Sequence, residues 1–194
     1  MARLHGARHA MTLILPFSNY SLQRASVADA AARCDYQWRN RERLRPWEPL
    51  RDEAYYTISG VVARCLEQER QMALGNALYF VIKRRDDGAM AGECGFTNIV
   101  RGPFQACYLG FSLDGREEGR GLMQAALQIA IAQVFQSLRL HRIMANYRPE
   151  NTRSGALLSR LGFVKEGYAR RYLKINGVWQ DHVLTARTNE DEPD

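Results

Sequence analysis

The chain has 194 residues, of which 46% are hydrophobic and 25% charged, ordinary values for a globular protein. No apolar run approaches the length of a membrane span, and the N-terminus lacks the apolar region and cleavage site of a secretory signal, so we expect a cytoplasmic protein without a membrane contact. The net charge of +6 suggests an anionic partner, although solubility alone would also account for it.

Residues 1–16 are predicted to be a flexible tail and residues 17–190 a single domain. The first half of this domain is predicted to contain a strand over 20–25, a helix over 26–38, an irregular charged stretch over 39–53 and a helix over 58–73. Ser26 and Asp29 have the spacing of a capping box, which begins a helix. Pro46 and Pro49 cannot continue one.

The second half is predicted to contain strands over 77–83, 90–99 and 106–113, a helix over 122–137, a strand over 142–147, a helix over 151–161, and hairpin strands over 168–175 and 179–188. Asn176-Gly177 favours a type I′ turn in that hairpin. The strand–helix–strand unit requires two parallel strands joined by a crossover. The predicted fold is therefore α/β: a mixed, mostly antiparallel sheet with one βαβ crossover and helices on both faces.

The cysteines and histidines carry no recognisable chemical motif. The four cysteines are scattered and none has C-x-x-C spacing, and the four histidines lack the spacing of metal ligands. We therefore expect neither a disulfide nor a metal centre.

The stretch over 116–121, Arg-Glu-Glu-Gly-Arg-Gly, lies between a predicted strand and a predicted helix. Backbone N–H groups and the positive end of the helix dipole meet at such a turn, which favours a bound phosphate. Gly119 and Gly121 would let the backbone approach the anion closely. The stretch is neither a G-x-G-x-x-G fingerprint nor a Walker A loop, and an ordinary glycine-rich turn is the alternative.

The stretch also matches R/Q-x-x-G-x-G/A, the hallmark of the GCN5-related N-acetyltransferases (GNAT). Within that family the chain most resembles the bacterial ribosomal-protein alanine N-acetyltransferases. The resemblance spans about residues 17–190 and is carried by residues 44–49, 98–110, 141–147, 151, 154, 161–163 and 166–169.

The resemblance implies a GNAT fold in which acetyl-CoA lies between two splayed parallel strands. The backbone of Phe111, Ser112 and Leu113 would contact the pantetheine arm, and the N–H groups of Arg116, Glu117, Glu118, Gly119, Arg120 and Gly121 would bind the pyrophosphate. Asn151 would touch the pantetheine arm, and Ser154 would place a hydroxyl near the sulfur. A plain helix N-cap and a solvated serine are the alternatives for these two residues.

The resemblance further implies direct attack of an amine on the thioester in a ternary complex. An α-amine has a pKa near 7.7–8.0, whereas a lysine near 10.4 is neutral in only about one molecule in a thousand. An enzyme for N-termini therefore needs a base only to take the proton as attack proceeds. Glu48 and Glu93 are the candidates for that base or for an anchor of the amine.

The acceptor implied by the resemblance is the N-terminal alanine of ribosomal protein S5, with the small ribosomal subunit and a weak rRNA contact as further partners. Two other functions stay open on the sequence. One is acetylation of polyamine or aminoglycoside amines, and the other is a non-catalytic ribosome-assembly or RNA-binding role.

Overall fold

The computed structural model describes residues 13–14 and 19–190. The described strands are β1 (Leu13–Ile14), β2 (Tyr20–Arg24), β3 (Leu78–Arg84), β4 (Met90–Val100), β5 (Ala106–Leu113), β6 (Arg142–Met144), β7 (Val164–Ile175) and β8 (Val178–Thr188). The described α-helices are α1 (Ala30–Leu44), α2 (Ile58–Ala73), α3 (Leu122–Leu138) and α4 (Thr152–Arg160). Short 3₁₀ helices cover Val27–Asp29, Arg45–Trp47, Glu53–Tyr56 and Gly115–Glu117.

The described strands form one sheet in the order β1-β2-β3-β4-β5-β6-β8-β7. Strands β1 to β5 pair antiparallel in sequence order, and β6 and β7 each pair antiparallel with β8. Strands β5 and β6 are parallel and are joined through α3. The predicted mixed sheet with one βαβ crossover is thereby confirmed.

Helices cover both faces of the sheet, as predicted. Successive strand residues point to opposite faces, and β3 illustrates this. Phe80 and Ile82 belong to the larger core beside Leu127 of α3, whereas Val81 packs with Tyr36 of α1. We call these the α3 face and the α1 face.

Local signals located several elements correctly. Helix α2 has the predicted bounds, and Thr57 caps it by accepting a hydrogen bond from the N–H of Gly60. In the β7–β8 hairpin, Asn176 and Gly177 both have positive φ, at 43° and 79°, which a type I′ turn requires.

Four element boundaries differ from the prediction by three residues or more. One of them is the start of strand β7, at Val164 instead of residue 168. Helix α1 continues to Leu44 instead of ending near residue 38, because the charged side chains of its last turns have partners in the rest of the fold, such as Arg39 with Asp114. Strand β6 ends at Met144 instead of residue 147, because it separates there from β5.

The fourth difference concerns the predicted tail over 1–16. Leu13–Ile14 forms a short strand paired with β2, so sheet pairing begins inside that segment. The other residues of the predicted tail lie outside the described part of the chain.

Candidate active site

The parallel strands β5 and β6 separate and leave a cleft between them. They pair only where Ala106–Tyr108 runs beside Arg142–Met144. Beyond this point β5 continues to Leu113, whereas the chain after β6 turns towards β8, where the Ala145 N–H donates to the Thr185 carbonyl at 2.9 Å. Over residues 109–113, β5 therefore has no strand partner on its β6 side among the described residues.

The cleft is lined from both faces of the sheet. Asn151, Ser154 and Leu158 of α4 line it from the α3 face, where Leu158 belongs to the larger core. Trp47, which follows α1, lines it from the other side. The volume of about 160 Å³ is below the roughly 300–1,000 Å³ of a pocket that encloses a whole ligand. The cleft can therefore hold only part of a larger ligand.

The turn over 116–121 leads from β5 into α3. Gly119 and Gly121 have φ of +76° and +72°, and a Cβ added at either would meet no atom within 4 Å. The space in front of these glycines is open, and their left-handed backbone favours residues without a side chain. The turn thus has room for a ligand that approaches its backbone.

Only part of this turn has unpaired backbone donors. The Arg116 N–H donates to Asp114 Oδ1 at 3.0 Å, and the Glu117 N–H donates to the Asp114 carbonyl at 2.9 Å. Within residues 13–14 and 19–190, the N–H groups over 118–121 make no hydrogen bond to another element. Of the six predicted phosphate donors, two are thus engaged by Asp114 and the other four are not tied to another element.

The carboxylates of Glu117 and Glu118 are paired with protein groups. The buried Glu117 accepts from the Tyr20 hydroxyl at 2.5 Å and lies 3.2 Å from Arg120 Nη1. Glu118 lies 2.6 Å from Arg43 and 2.5 Å from Arg153. Because arginines offset both charges, two glutamates in this turn do not prevent it from binding an anion.

Helix α1 holds the turn in place. Arg39 pairs with Asp114 at 2.6 Å, and Asn40 Oδ1 accepts from the Gly115 N–H at 3.1 Å. Burial acts to raise the pKa of Asp114, but hydrogen bonds from the Arg116 N–H and Arg39 outweigh it, so this pKa is lowered. The ionised carboxylate therefore ties a helix of the α1 face to the start of the turn.

At the start of α4, Asn151 Oδ1 accepts from the Ser154 N–H at 3.1 Å. Asn151 is thus a helix N-cap, the alternative given for it from the sequence, and it also lines the cleft. Ser154 is half-buried beside it. Gly155 is required by packing, because a Cβ there would lie 2.8 Å from the Tyr147 ring.

Glu48 and Glu93 do not line the cleft, although both lie near residues that do. Glu48 follows Trp47, and Glu93 is the strand partner of Ser112, which follows Phe111. Burial raises the pKa of Glu48, Arg51 partly opposes this, and the charge of Glu93 adds to it.

Glu93 is already engaged by another side chain. Arg33 Nη2 lies at an ion-pair distance of 2.7 Å from Glu93 Oε2, although not in a hydrogen-bonding orientation. The two predicted candidates therefore differ. Glu93 lies 2.7 Å from Arg33, whereas Glu48 has a looser ion pair, 3.9 Å from Arg51, and a raised pKa.

The sequence motifs did not single out four residues that line the cleft: Trp47, Tyr147, Arg148 and His182. Trp47 and Tyr147 lie inside stretches that carry the family resemblance, so their positions could have been flagged. His182 lies in β8, in no motif, and only the pairing of β8 with its neighbours brings it to the cleft.

The described part of the chain has neither a cluster of metal ligands nor a membrane-spanning helix. No group of three His, Cys, Asp or Glu side chains there could hold a metal ion. No helix over 13–14 and 19–190 is long and apolar enough to cross a membrane. Cys34, Cys65, Cys94 and Cys107 are free.

The chain is similar to known acetyltransferases. Residues 21–164 match the family described as "Acetyltransferase (GNAT) domain". The chain is 49% identical, over 84% of both sequences, to "[Ribosomal protein uS5]-alanine N-acetyltransferase" of Escherichia coli K12. The crystal structure of a ribosomal-protein-S5-alanine acetyltransferase from Vibrio fischeri superposes with a TM-score of 0.89 at 39% identity, covering 94% of this chain and 100% of that one.

A second solved structure adds a bound coenzyme. Mycobacterium smegmatis RimJ in complex with CoA-disulfide has a TM-score of 0.85 at 32% identity, covering 95% of this chain and 89% of that one. With its fold, its separated parallel strands and these matches, the chain belongs to the GNAT family of acetyl-CoA-dependent N-acetyltransferases.

Proposed function

We propose that the protein acetylates the α-amine of the N-terminal alanine of ribosomal protein S5. The observation that carries this proposal is the 49% identity, over 84% of both chains, with the E. coli enzyme named for that reaction. The cleft is compatible with it, because an N-terminus can enter from the α1 face while acetyl-CoA lies along the α3 face. A small first residue suits so narrow a space.

The residues fit acetyl-CoA where the resemblance implies. The pyrophosphate would be bound by the N–H groups over 118–121, in front of the open space at Gly119 and Gly121. The unpaired edge of β5 over 111–113 would hydrogen-bond the pantetheine arm, with Asn151 beside it. When bound, acetyl-CoA supplies an acetyl group activated as a thioester. Ser154 would donate a proton to the sulfur from its place in the cleft.

The α1 face offers charges that can hold an ammonium group. Glu48 and Glu93 lie close enough together for the charge of Glu93 to raise the pKa of Glu48. Glu48 is the better anchor of the two, because its partner Arg51 is 3.9 Å away whereas Glu93 lies 2.7 Å from Arg33. An α-amine with a pKa near 7.7–8.0 is partly neutral at physiological pH, so the enzyme need not deprotonate it in advance.

The proposed acceptor implies further partners. The chain carries a net charge of +6, which does not favour docking on a basic ribosomal protein through charge alone. We therefore include contact with the rRNA of the small subunit in the proposal. Acetylation on the assembled subunit should then weaken with added salt more than acetylation of free S5 does. Because ribosomes are assembled there, the proposed site of action is the cytoplasm.

The acceptor is tested by comparing purified S5, S5 with a blocked α-amine, and spermidine, each incubated with acetyl-CoA and analysed by mass spectrometry. We expect one acetyl group on the first residue of S5 and none on the blocked protein. Acetylation of lysines in the blocked protein, or faster reaction of spermidine, would overturn the N-terminal assignment. Neither result would question that the protein is an acetyltransferase.

A further inference from the structure

The cleft contains one side chain that can accept a proton near neutral pH. Its titratable lining residues are Tyr147, Arg148 and His182, whereas Glu48 and Glu93 lie outside the lining. Arginine keeps its proton in proteins, and a tyrosine side chain ordinarily holds its own at neutral pH. We propose that His182 accepts the proton that the acceptor amine loses during acetylation. This inference rests on the proposed function.

The hydrogen bond of His182 determines its tautomer. Nδ1 lies 3.1 Å from the backbone carbonyl of Gln180, and a carbonyl oxygen only accepts hydrogen bonds. Nδ1 therefore carries the proton in the neutral ring, and the lone pair is on Nε2. Within the part of the chain that the structure describes, Nε2 has no hydrogen-bond partner. The side chain is only 4% exposed and lines the cleft, so the cleft is where a substrate would meet this nitrogen.

The groups around His182 keep the ring neutral. Burial is the largest effect and lowers the pKa, and the charge of Arg148 lowers it further. The Gln180 hydrogen bond, Asp181 and Glu150 oppose this without reversing it. Tyr172 packs against the ring with the centroids 5.6 Å apart. The base is thus in its reactive, unprotonated form at neutral pH.

Each proton in the proposed reaction has a donor and an acceptor. The acceptor ammonium first loses one proton to water and becomes a neutral amine. As the amine nitrogen forms its bond to the acetyl carbon, the C–S bond breaks with its electron pair on sulfur. A second N–H bond breaks and the proton goes to His182 Nε2, from which it leaves to solvent. The sulfur takes a proton from water, either directly or through Ser154, which then regains its own proton from water. One proton is released to solvent overall, and the side chains of the enzyme end as they began.

The kinetic test is His182→Gln, which retains a polar side chain that cannot titrate. We expect kcat at pH 7 to fall about a hundredfold, the usual loss when a general base is removed, with the Kd for acetyl-CoA unchanged. The rise of kcat with pH that reports the imidazole should disappear. His141→Gln is the matched control, because His141 is exposed at the start of β6 and outside the cleft.

A second measurement does not depend on turnover. Nitrogen NMR of the ¹⁵N-histidine-labelled protein, assigned with the His182→Gln variant, should show Nε2 unprotonated and an apparent pKa below the ordinary value of about 6.5. A kcat within about threefold of wild type, or an Nε2–H tautomer, would overturn the proposal. These readouts use whichever amine the wild-type enzyme accepts, so they are distinct from failure of S5 as the acceptor.

Discussion

The turn over 116–121 and the cleft offer a ligand different parts of the chain. The turn presents backbone N–H groups beside two glycines, and its glutamates are neutralised by arginines. The cleft presents side chains instead: the neutral His182 is in its lining, and Glu48 with its raised pKa lies beside it, next to Trp47. Backbone donors suit a phosphate that every member of a family binds, whereas side chains can be tuned to one acceptor.

Helix α1 connects the two regions physically. One part of it packs Tyr36 against Val81 on the α1 face, and the Tyr36 hydroxyl donates to Ser112 Oγ at 2.8 Å. Its later residues Arg39, Asn40 and Arg43 hold the turn. A substitution can therefore affect one region or both, and the following predictions separate these outcomes.

The largest effect is expected from Ser154→Ala. If the hydroxyl protonates the departing sulfur, kcat should fall about a hundredfold while the Kd for acetyl-CoA stays the same. Steady-state kinetics and calorimetry provide the two values. Ser159→Ala is the control, because Ser159 is exposed on the same helix. Similar kcat values for the two variants would leave Ser154 as a solvated serine.

Gly119→Asp should act on binding. The residue has positive φ, and the new carboxylate would repel a phosphate, so we expect the Kd for acetyl-CoA to rise tenfold or more, about 1.4 kcal/mol. Gly102→Asp has a matched positive φ and open surroundings in the turn before β5. The Gly102→Asp variant should lose about as much stability as Gly119→Asp but bind acetyl-CoA with the wild-type Kd. Equal affinity of both variants would remove the turn from the coenzyme site.

Glu48→Gln should act on the acceptor. A hydrogen bond to a charged group contributes about 1.5 kcal/mol, so the KM for an S5 peptide should rise about tenfold with acetyl-CoA binding unchanged. Glu53→Gln changes an exposed residue in the next segment and should leave both the KM for the S5 peptide and the Kd for acetyl-CoA unchanged. An unchanged KM in the Glu48 variant would argue against this carboxylate as the anchor.

The same variant has a pH signature. Because the folded pKa of Glu48 is raised, its contribution to stability is fully present below the unfolded pKa of about 4.3 and is lost as pH rises through the folded pKa. Glu48→Gln should therefore raise Tm at pH 7, and this gain should vanish as the pH is lowered below 4. Thermal unfolding across this range measures it. A gain in Tm that grew as the pH was lowered would contradict this prediction.

The smallest functional effect is expected from Asp114→Asn, which loosens the tie between α1 and the turn. We expect the free energy of unfolding to fall by about 1–3 kcal/mol at pH 7, with less than about a threefold change in the Kd for acetyl-CoA. Because the folded pKa of Asp114 is lowered, its contribution is present above the unfolded pKa and is lost as pH falls through the folded one. Urea unfolding at pH 7 and pH 3 tests this.

The control for that variant is Asp87→Asn, which breaks an exposed ion pair with Arg84 and should change stability little. A large loss of acetyl-CoA affinity in Asp114→Asn would contradict the prediction, because it would show that the contact between α1 and the turn also controls coenzyme binding.

Local pattern was enough to predict most elements. The period of the apolar residues located helix α2, and Asn176-Gly177 located the hairpin turn, since both signals depend on neighbours along the chain. The same reasoning ended α1 six residues early, because it could not anticipate that Arg39 would pair with Asp114, 75 residues away. The charged residues at the end of α1 were predicted to belong to an irregular stretch, because their partners lie on other elements of the fold.

By itself, the sequence determined the order of elements, the βαβ crossover and the position of the glycine turn, because periodicity, turn residues and strand-to-helix context are short-range. Only the tertiary structure decided that the cleft is lined from both faces of the sheet, that the N–H groups of Arg116 and Glu117 are already occupied, and that His182 lies in the cleft while Glu48 and Glu93 stand beside it. These facts depend on strand register and on side chains from distant segments, which no local pattern encodes.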